Sequence, residues 1–290
     1  MQRKPKWLIS QKLGSAKARE VAKYLRDYNL NTVCDGAKCP NKGECYDRGT
    51  ATFMILGNSC TRNCTFCAVD KNLKNLEIPN VDEPTAIAEI CKILKLKYIV
   101  VTTVTRDDLN DGGASQFISV IDKVREICGK EVSVEVLISD FNGDLRQVEK
   151  VVKAAPNVLN HNVETIPNLY AEVRPMADFE QSIRILKKAR ETDSNIVTKS
   201  GFMVGLGETK TEVLSLMQRL RETDVDILTI GQYLQPSQKH YPVREYVHPN
   251  LFAFYKTEGE KMGFKIVESA PLVRSSYHAE RAEKLIVKRR

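Results

Sequence analysis

Six of the chain's eight cysteines fall between positions 34 and 67, and they stand as two groups of three. Cys34, Cys39 and Cys45 are spaced C-x4-C-x5-C; Cys60, Cys64 and Cys67 are spaced C-x3-C-x2-C, with Phe66 just ahead of the last. Thiolates are soft ligands, suited to zinc, cuprous ion and iron–sulfur clusters. A structural zinc site takes four ligands, usually from two C-x2-C pairs, so each triad is one ligand short. A cubane iron–sulfur cluster needs one external ligand on each of its four irons. Three thiolates would leave one iron for something other than cysteine. Zinc binding and plain buried thiols are the competing readings of the same residues.

Chemistry of that kind needs a rigid frame. From residue 50 onward, short β-rich runs alternate with amphipathic stretches. The runs are 50–57, 97–104, 132–139, 157–165, 195–205 and 226–234, rich in Val, Ile, Thr and aromatic residues. Several are continuously apolar, as strands covered on both faces are. Between them, "EPTAIAEICKILKLK" places Ile87, Ile90, Cys91 and Leu94 at helical spacing, with Pro84 in the first turn. "TKTEVLSLMQRLRETD" does the same with Val213, Leu216, Met217 and Leu220, and residues 114–128, 142–154, 179–192 and about 249–262 complete the helices. Six βα units predict an α/β protein with a parallel sheet, and a partial (β/α)6 barrel fits better than a doubly wound sheet. No low-complexity stretch or Pro/Gly linker divides the chain. The expectation is one domain: an N-terminal extension over 1–49 with the first triad, a barrel core over 50–262 and a C-terminal extension over 263–290.

The second triad follows the first strand, "TFMILG", at the end where a (β/α) barrel gathers its catalytic loops. In that setting C-x3-C-x2-C resembles the signature of the radical S-adenosylmethionine (SAM) superfamily. The resemblance implies that Cys60, Cys64 and Cys67 hold a [4Fe–4S] cluster and that SAM chelates its fourth iron. An electron from the cluster would then cleave SAM to a radical able to take hydrogen from unactivated carbon.

A triad just ahead of that signature is similar to the auxiliary cluster of the lipoyl synthase family, and the similarity runs through nearly the whole chain. After the block from Thr32 to Val69 come "VVTTVTRDDLNDGGASQF" (100–117), "LNHNVETIPNLYAEVRP" (159–175), "KSGFMVGLGET" (199–209), "DILTIGQYLQPS" (226–237) and "PLVRSSYHA" (271–279). The reaction this resemblance implies inserts sulfur at C6 and C8 of an octanoyl chain on a lysine of a lipoyl carrier, of the glycine-cleavage H-protein or 2-oxoacid dehydrogenase E2 type. Two [4Fe–4S] clusters are implied, the one on Cys34, Cys39 and Cys45 giving up its sulfide. Its implied fourth ligand is Ser276, with Ser275 the alternative, and Arg274 is the implied substrate contact. Thr103, Asp107, Asn162, Glu164, Arg174 and Lys199 are the implied SAM-binding residues. An electron donor such as flavodoxin or ferredoxin and an iron–sulfur cluster carrier complete the implied partners.

Taken singly, many of these residues have simpler roles. A serine ahead of "HAERAEKLIVKRR" can cap a helix. The acids and glycines of 107–113 can turn the chain and cap the next helix. His161 reads as a hydrogen-bonded core residue, and Cys91 and Cys128, inside helical patterns, as small apolar side chains. "GLGET" (205–209) lacks the Lys-Ser/Thr of a phosphate loop and suffices to turn strand into helix.

A net charge of +7, from 44 Lys and Arg against 37 Asp and Glu, suits an acidic partner such as an acidic carrier domain. No Arg/Lys block with interleaved aromatics points to nucleic acid. No apolar run approaches the roughly 20 residues of a membrane span, and the basic start lacks the apolar core of a secretory signal. A cytoplasmic protein with reduced thiols is expected. Other sulfur-inserting radical SAM enzymes, such as biotin synthase or a methylthiotransferase, and a non-catalytic nucleic-acid-binding iron–sulfur or zinc protein are the alternatives.

Overall fold

The structure, a computed structural model, describes residues 3–9, 16–28, 30–36, 39, 41–48 and 50–289. Seven strands pair in parallel and in sequential order: β1 (Thr50–Ile55), β2 (Tyr98–Thr103), β3 (Ser133–Leu137), β4 (Val158–Asn160), β5 (Val197–Val204), β6 (Ile227–Gln232) and β7 (Ile266–Ser269). The helices are α1 (Ala16–Asp27), α2 (Val33–Gly36), α3 (Lys42–Asp47), α4 (Glu83–Ile93), α5 (Ala114–Cys128), α6 (Leu145–Lys153), α7 (Tyr170–Val173), α8 (Phe179–Thr192), α9 (Lys210–Arg221), α10 (Pro249–Lys261) and α11 (Glu283–Arg289). At least one helix crosses over between each pair of neighbouring strands, and no pairing joins β7 to β1 among the described residues. The sheet is therefore an open, partial (β/α) barrel. The seventh strand lies in the stretch read from sequence as an extension. "IVES" is four residues long and mostly half-buried, so it carries little of the apolar signal that marks the others.

The strands divide their side chains with a period of two. Ile99 and Val101 of β2 face the helical layer, while Tyr98 and Val100 face inward with Val158, Val197 and Ile227. The inward cluster is completed by Ala279, Ala282 and Ile286, from a 3-10 turn (Ala279–Ala282) and α11. The chain's C-terminal segment thus plugs the barrel at the end where the strands begin. Against the first strand, α2 and α3 pack on β1 and α1 packs on α3, adding Val21, Leu25 and Tyr46 to the core. Met54 N donates to Asn31 O at 2.9 Å, which covers part of the β1 edge.

Local signals explain the helix starts that border the site. Gly205 and Gly207 take φ of +94° and +120°, and α9 begins in a reciprocal capping box between Thr209 and Glu212. Before α5, Asp111 accepts from the backbone N–H groups of Gly113 and Ser115 at 2.9 and 2.8 Å. Among the described residues no helix is long and apolar enough to cross a membrane.

Candidate functional site

Residues 56–70 leave the C-terminal end of β1 as a loop pinched at its base. Cys60 N donates to Asp70 O at 2.8 Å, and Ser59 Oγ to Asp70 Oδ2 at 3.1 Å. Arg62 anchors its interior. The guanidinium meets Asp107 through Nε at 2.8 Å and Nη2 at 2.9 Å, and Asp140 through Nη1 at 2.5 Å and Nη2 at 2.6 Å. Two bidentate pairs of this kind fix direction as well as distance. They tie the cysteine loop to the segments that follow β2 and β3. Thr65 N donates to Val173 O and Tyr241 N to Thr65 O, at 3.0 and 2.9 Å. Lys71 Nζ donates to Cys64 O at 2.9 Å. His240 lies 3.1 Å from Cys67 O through Nε2, and a carbonyl only accepts, so Nε2 carries the proton and Nδ1 accepts from Ser237 Oγ at 2.8 Å. Burial pushes the Cys67 thiol up to about 11 and raises Cys64 as well, although the Arg174 charge beside Cys64 opposes the shift.

Glu164 and Arg174 stand over this loop. Glu164 takes a left-handed φ of +65°, rare for a residue with a side chain. Burial raises its carboxyl; Arg174 and a hydrogen bond from Asn162 oppose that. Arg174 Nη1 donates to Val163 O at 3.2 Å and to Tyr170 Oη at 3.1 Å, and its buried Nε has no protein partner. The other residues expected to meet SAM are committed within the chain. Asp107 is occupied by Arg62, and Thr103 Oγ1 donates to Val104 O at 2.7 Å. Asn162 accepts from Ser275 Oγ at 3.1 Å. Lys199, enclosed in the barrel, pairs with Glu135 at 2.9 Å. His161 is buried with Nδ1 3.0 Å from Ile138 O, a core residue as its sequence context suggested.

In the first triad Cys34 lies on α2 and Cys45 on α3, with Cys39 between them in sequence. The Cys34 and Cys39 thiols are hydrogen-bonded to each other. That bond, with backbone N–H groups and the Arg274 charge, outweighs burial and draws Cys39 down to about 6. Its consequence for Cys34 is the reverse, a raised thiol, and burial pushes Cys45 up to about 12. The triad faces the C-terminal segment across more than two hundred positions of sequence. Asn41 Nδ2 donates to Leu272 O at 2.6 Å, and Tyr277 Oη to Glu44 Oε1 at 3.3 Å. Arg48 Nη1 reaches His278 Nδ1 at 2.7 Å. "RSSYHA" is thereby set against the cysteines. Neither serine hydroxyl caps the helical turn that follows: its N-cap is His278, left-handed at φ +55°, with no side-chain cap. Ser275 Oγ accepts from Asn160 Nδ2 at 2.9 Å and donates to Asn162, whereas the Ser276 hydroxyl has no hydrogen-bond partner among the described residues.

Among the described residues no three His, Cys, Asp or Glu side chains close on a single metal-ion position. A cubane sets a different requirement, because each thiolate goes to a separate iron. The donor sets fit such a group: each offers three soft thiol ligands within a short stretch of chain. Arg62, Asp140, Glu135, Tyr98 and Asn160 were missed by sequence reasoning. Arg62 lies inside the cysteine motif and Glu135 is a lone charge within the apolar run "VSVEVL", so both left a signal; Asp140 left none.

Comparison with known proteins places this geometry. The radical SAM superfamily model matches residues 54–220. Methylornithine synthase has the same fold, with a TM-score of 0.57 at 13% identity over 90% of this chain and 84% of that one. So has HydG, a maturase of the [FeFe]-hydrogenase, with a TM-score of 0.60 at 14% identity over 97% and 76%. The fold and the loop after β1 are those of a radical SAM enzyme, a class that implies SAM and a [4Fe–4S] cluster. Curated relatives narrow the class. A lipoyl synthase of Caldicellulosiruptor saccharolyticus is 55% identical over 98% of this chain and 99% of its own length. Another, from Caldanaerobacter subterraneus, is 53% identical over 96% of each. The chain belongs to the lipoyl synthase family, radical SAM sulfurtransferases.

Proposed function

We propose that this protein inserts two sulfur atoms, at C6 and C8, into an octanoyl chain held on a lysine of a lipoyl carrier, forming the lipoyl group. The observation that carries the reading is the seating of "RSSYHA" against Cys34, Cys39 and Cys45, with Arg274 beside Cys39 and Tyr277 on Glu44. A single-cluster radical SAM enzyme has no need of such a second thiol set. A saturated methylene has no leaving group and no usefully acidic proton, so side-chain acids and bases cannot reach it. Bound here, a [4Fe–4S] cluster with SAM would supply hydrogen abstraction and a second cluster the sulfur.

The residues divide accordingly. Cys60, Cys64 and Cys67 would hold the first group, and the Arg62 clamp keeps their loop in register with the loops after β2 and β3. Arg174 would receive the carboxylate of SAM through its unpartnered Nε, and Glu164 its ribose hydroxyls. Cys34, Cys39, Cys45 and Ser276 would hold the second group. The free Ser276 hydroxyl supports it over Ser275, whose oxygen is already satisfied. An alkoxide is a harder ligand than thiolate and leaves its iron less firmly bound. Arg274 would lie at the substrate. The carrier would be of the H-protein or E2 type, and this chain's charge of +7 suits an acidic one. A flavodoxin or ferredoxin would donate electrons, a cluster carrier would rebuild the consumed group, and the cytoplasm would be the compartment.

The test is mass spectrometry of an octanoyl-lysine peptide after anaerobic incubation with reconstituted protein, SAM and reductant. A product carrying two added sulfurs is expected. SAM cleavage with an unchanged peptide would refute the substrate. Cys34→Ala should cleave SAM without sulfur transfer, and Cys60→Ala should do neither. Lipoyl product from Cys34→Ala would remove the first triad from the reaction.

A further inference from the structure

Glu135 is a charged residue in the middle of a buried strand, and the barrel interior surrounds it with donors. Its carboxylate accepts from Lys199 Nζ at 2.9 and 3.2 Å, from Asn160 Nδ2 at 2.9 Å and from Tyr98 Oη at 2.7 Å. Lys199 and Glu135 are 2% and 0% exposed, so water cannot stand in for any of these partners. A pair of this kind is seldom retained for stability, because apolar residues of similar volume serve as well. Its effect here is directional. Only the NH2 edge of an asparagine can face a carboxylate, so Glu135 fixes which way the Asn160 amide points. The same nitrogen then reaches Ser275 Oγ at 2.9 Å. Having accepted that bond, Ser275 turns its own proton to Asn162 Oδ1 at 3.1 Å. Behind the segment, Gly231 on β6 lets the Val273 carbonyl lie directly on the strand, where a Cβ would overlap it.

We propose that Tyr98, Glu135, Asn160 and Lys199 form a latch. Through Ser275, it holds the C-terminal serine motif in the one position that leaves Ser276 to the first cysteine triad. These are positioning residues, and the inference rests on the preceding reading that Ser276 serves that triad. It divides the two serines: Ser275 is the latched residue, Ser276 the presented one.

The test uses the full-length chain, first metal-free and then anaerobically reconstituted. In the metal-free protein, Asn160→Leu should raise hydrogen–deuterium exchange over residues 274–286 by about tenfold, the loss of one or two buried hydrogen bonds. After reconstitution it should still cleave SAM and show the second triad's cluster by Mössbauer and electron paramagnetic resonance spectroscopy. The spectrum of the first triad's cluster should be altered or lost. Should Asn160→Leu fail to fold, two gentler variants carry the test. Ser275→Ala removes only the latched hydroxyl, and Glu135→Leu with Lys199→Met removes both charges together; each should show the same faster exchange. Wild-type exchange in both, or faster exchange with an unaltered first-triad cluster, would overturn the latch. Failure of the functional reading looks different: wild-type protein would then assemble no cluster on the first triad, or yield no lipoyl product, whatever the exchange data show.

Discussion

Arg62 places one charge between two carboxylates inside the loop that holds Cys60 and Cys64, and removing it has a calculable effect. Arg62→Met keeps the apolar stem but deletes both bidentate pairs. Asp107 is about a quarter exposed and would regain hydration; Asp140, at 1% exposure, would not. Stripping one partner from a buried pair costs about 3–5 kcal/mol, because the other charge is left uncompensated. At roughly 2–4 °C per kcal/mol for a chain of this size, the melting temperature of the metal-free protein should fall on the order of 10 °C. The pH dependence adds a second, independent signature. In the native protein burial alone would raise the Asp140 carboxyl, but hydrogen bonds and the charge of Arg62 outweigh burial and hold it below the ordinary range. The group then contributes stability that is present above about pH 4 and lost as pH falls through its folded-state value. Without Arg62 the burial remains and the carboxyl rises, so the variant regains stability as pH drops from 7 toward about 4. His161 acts in the same direction, since it would protonate more readily beside an uncompensated Asp140. Thermal unfolding of both proteins across that interval is the assay. The gap between them should narrow with acid, and adding Asp140→Leu to Arg62→Met should restore most of the loss. A drop of less than about 2 °C, or a gap independent of pH, would refute the clamp.

Three further outcomes are expected. Burial, reinforced by Arg174, draws His161 from 6.5 down to about 4, so its contribution is present above pH 6.5 and lost on acidification, up to about 3 kcal/mol. His161→Gln should flatten the stability profile between those values in denaturant titrations, and an unchanged profile would place the acid sensitivity elsewhere. Gly231→Ala sets a Cβ against the Val273 carbonyl and should cost about 1–3 kcal/mol, with faster exchange confined to the segment after residue 272; uniform exchange would count against the close approach. Thr209→Ala removes the hydroxyl that opens α9 and should lower stability by about 1 kcal/mol in chemical denaturation, leaving the iron content of reconstituted protein unchanged.

The sequence by itself determined the two thiol sets, six of the seven strands and the principal helices. Ligands within each triad lie a few residues apart, so local backbone geometry brings them together, and the apolar runs are long enough to show their period. The strand β7 escaped because four half-buried residues carry almost no pattern. Site residues were legible by type but not by partner. Asp107 and Lys199 were implied contacts of SAM, yet their bonds run to Arg62 and Glu135, forty-five and sixty-four positions away. The serine motif read locally as a helix cap; only the folded chain sets it against cysteines more than two hundred positions earlier and gives the two serines different neighbours. Which carboxylate a buried cation meets, and which hydroxyl stays free, depends on how the whole sheet closes around its contents. That closure sums packing over every strand, and no short stretch of sequence records it.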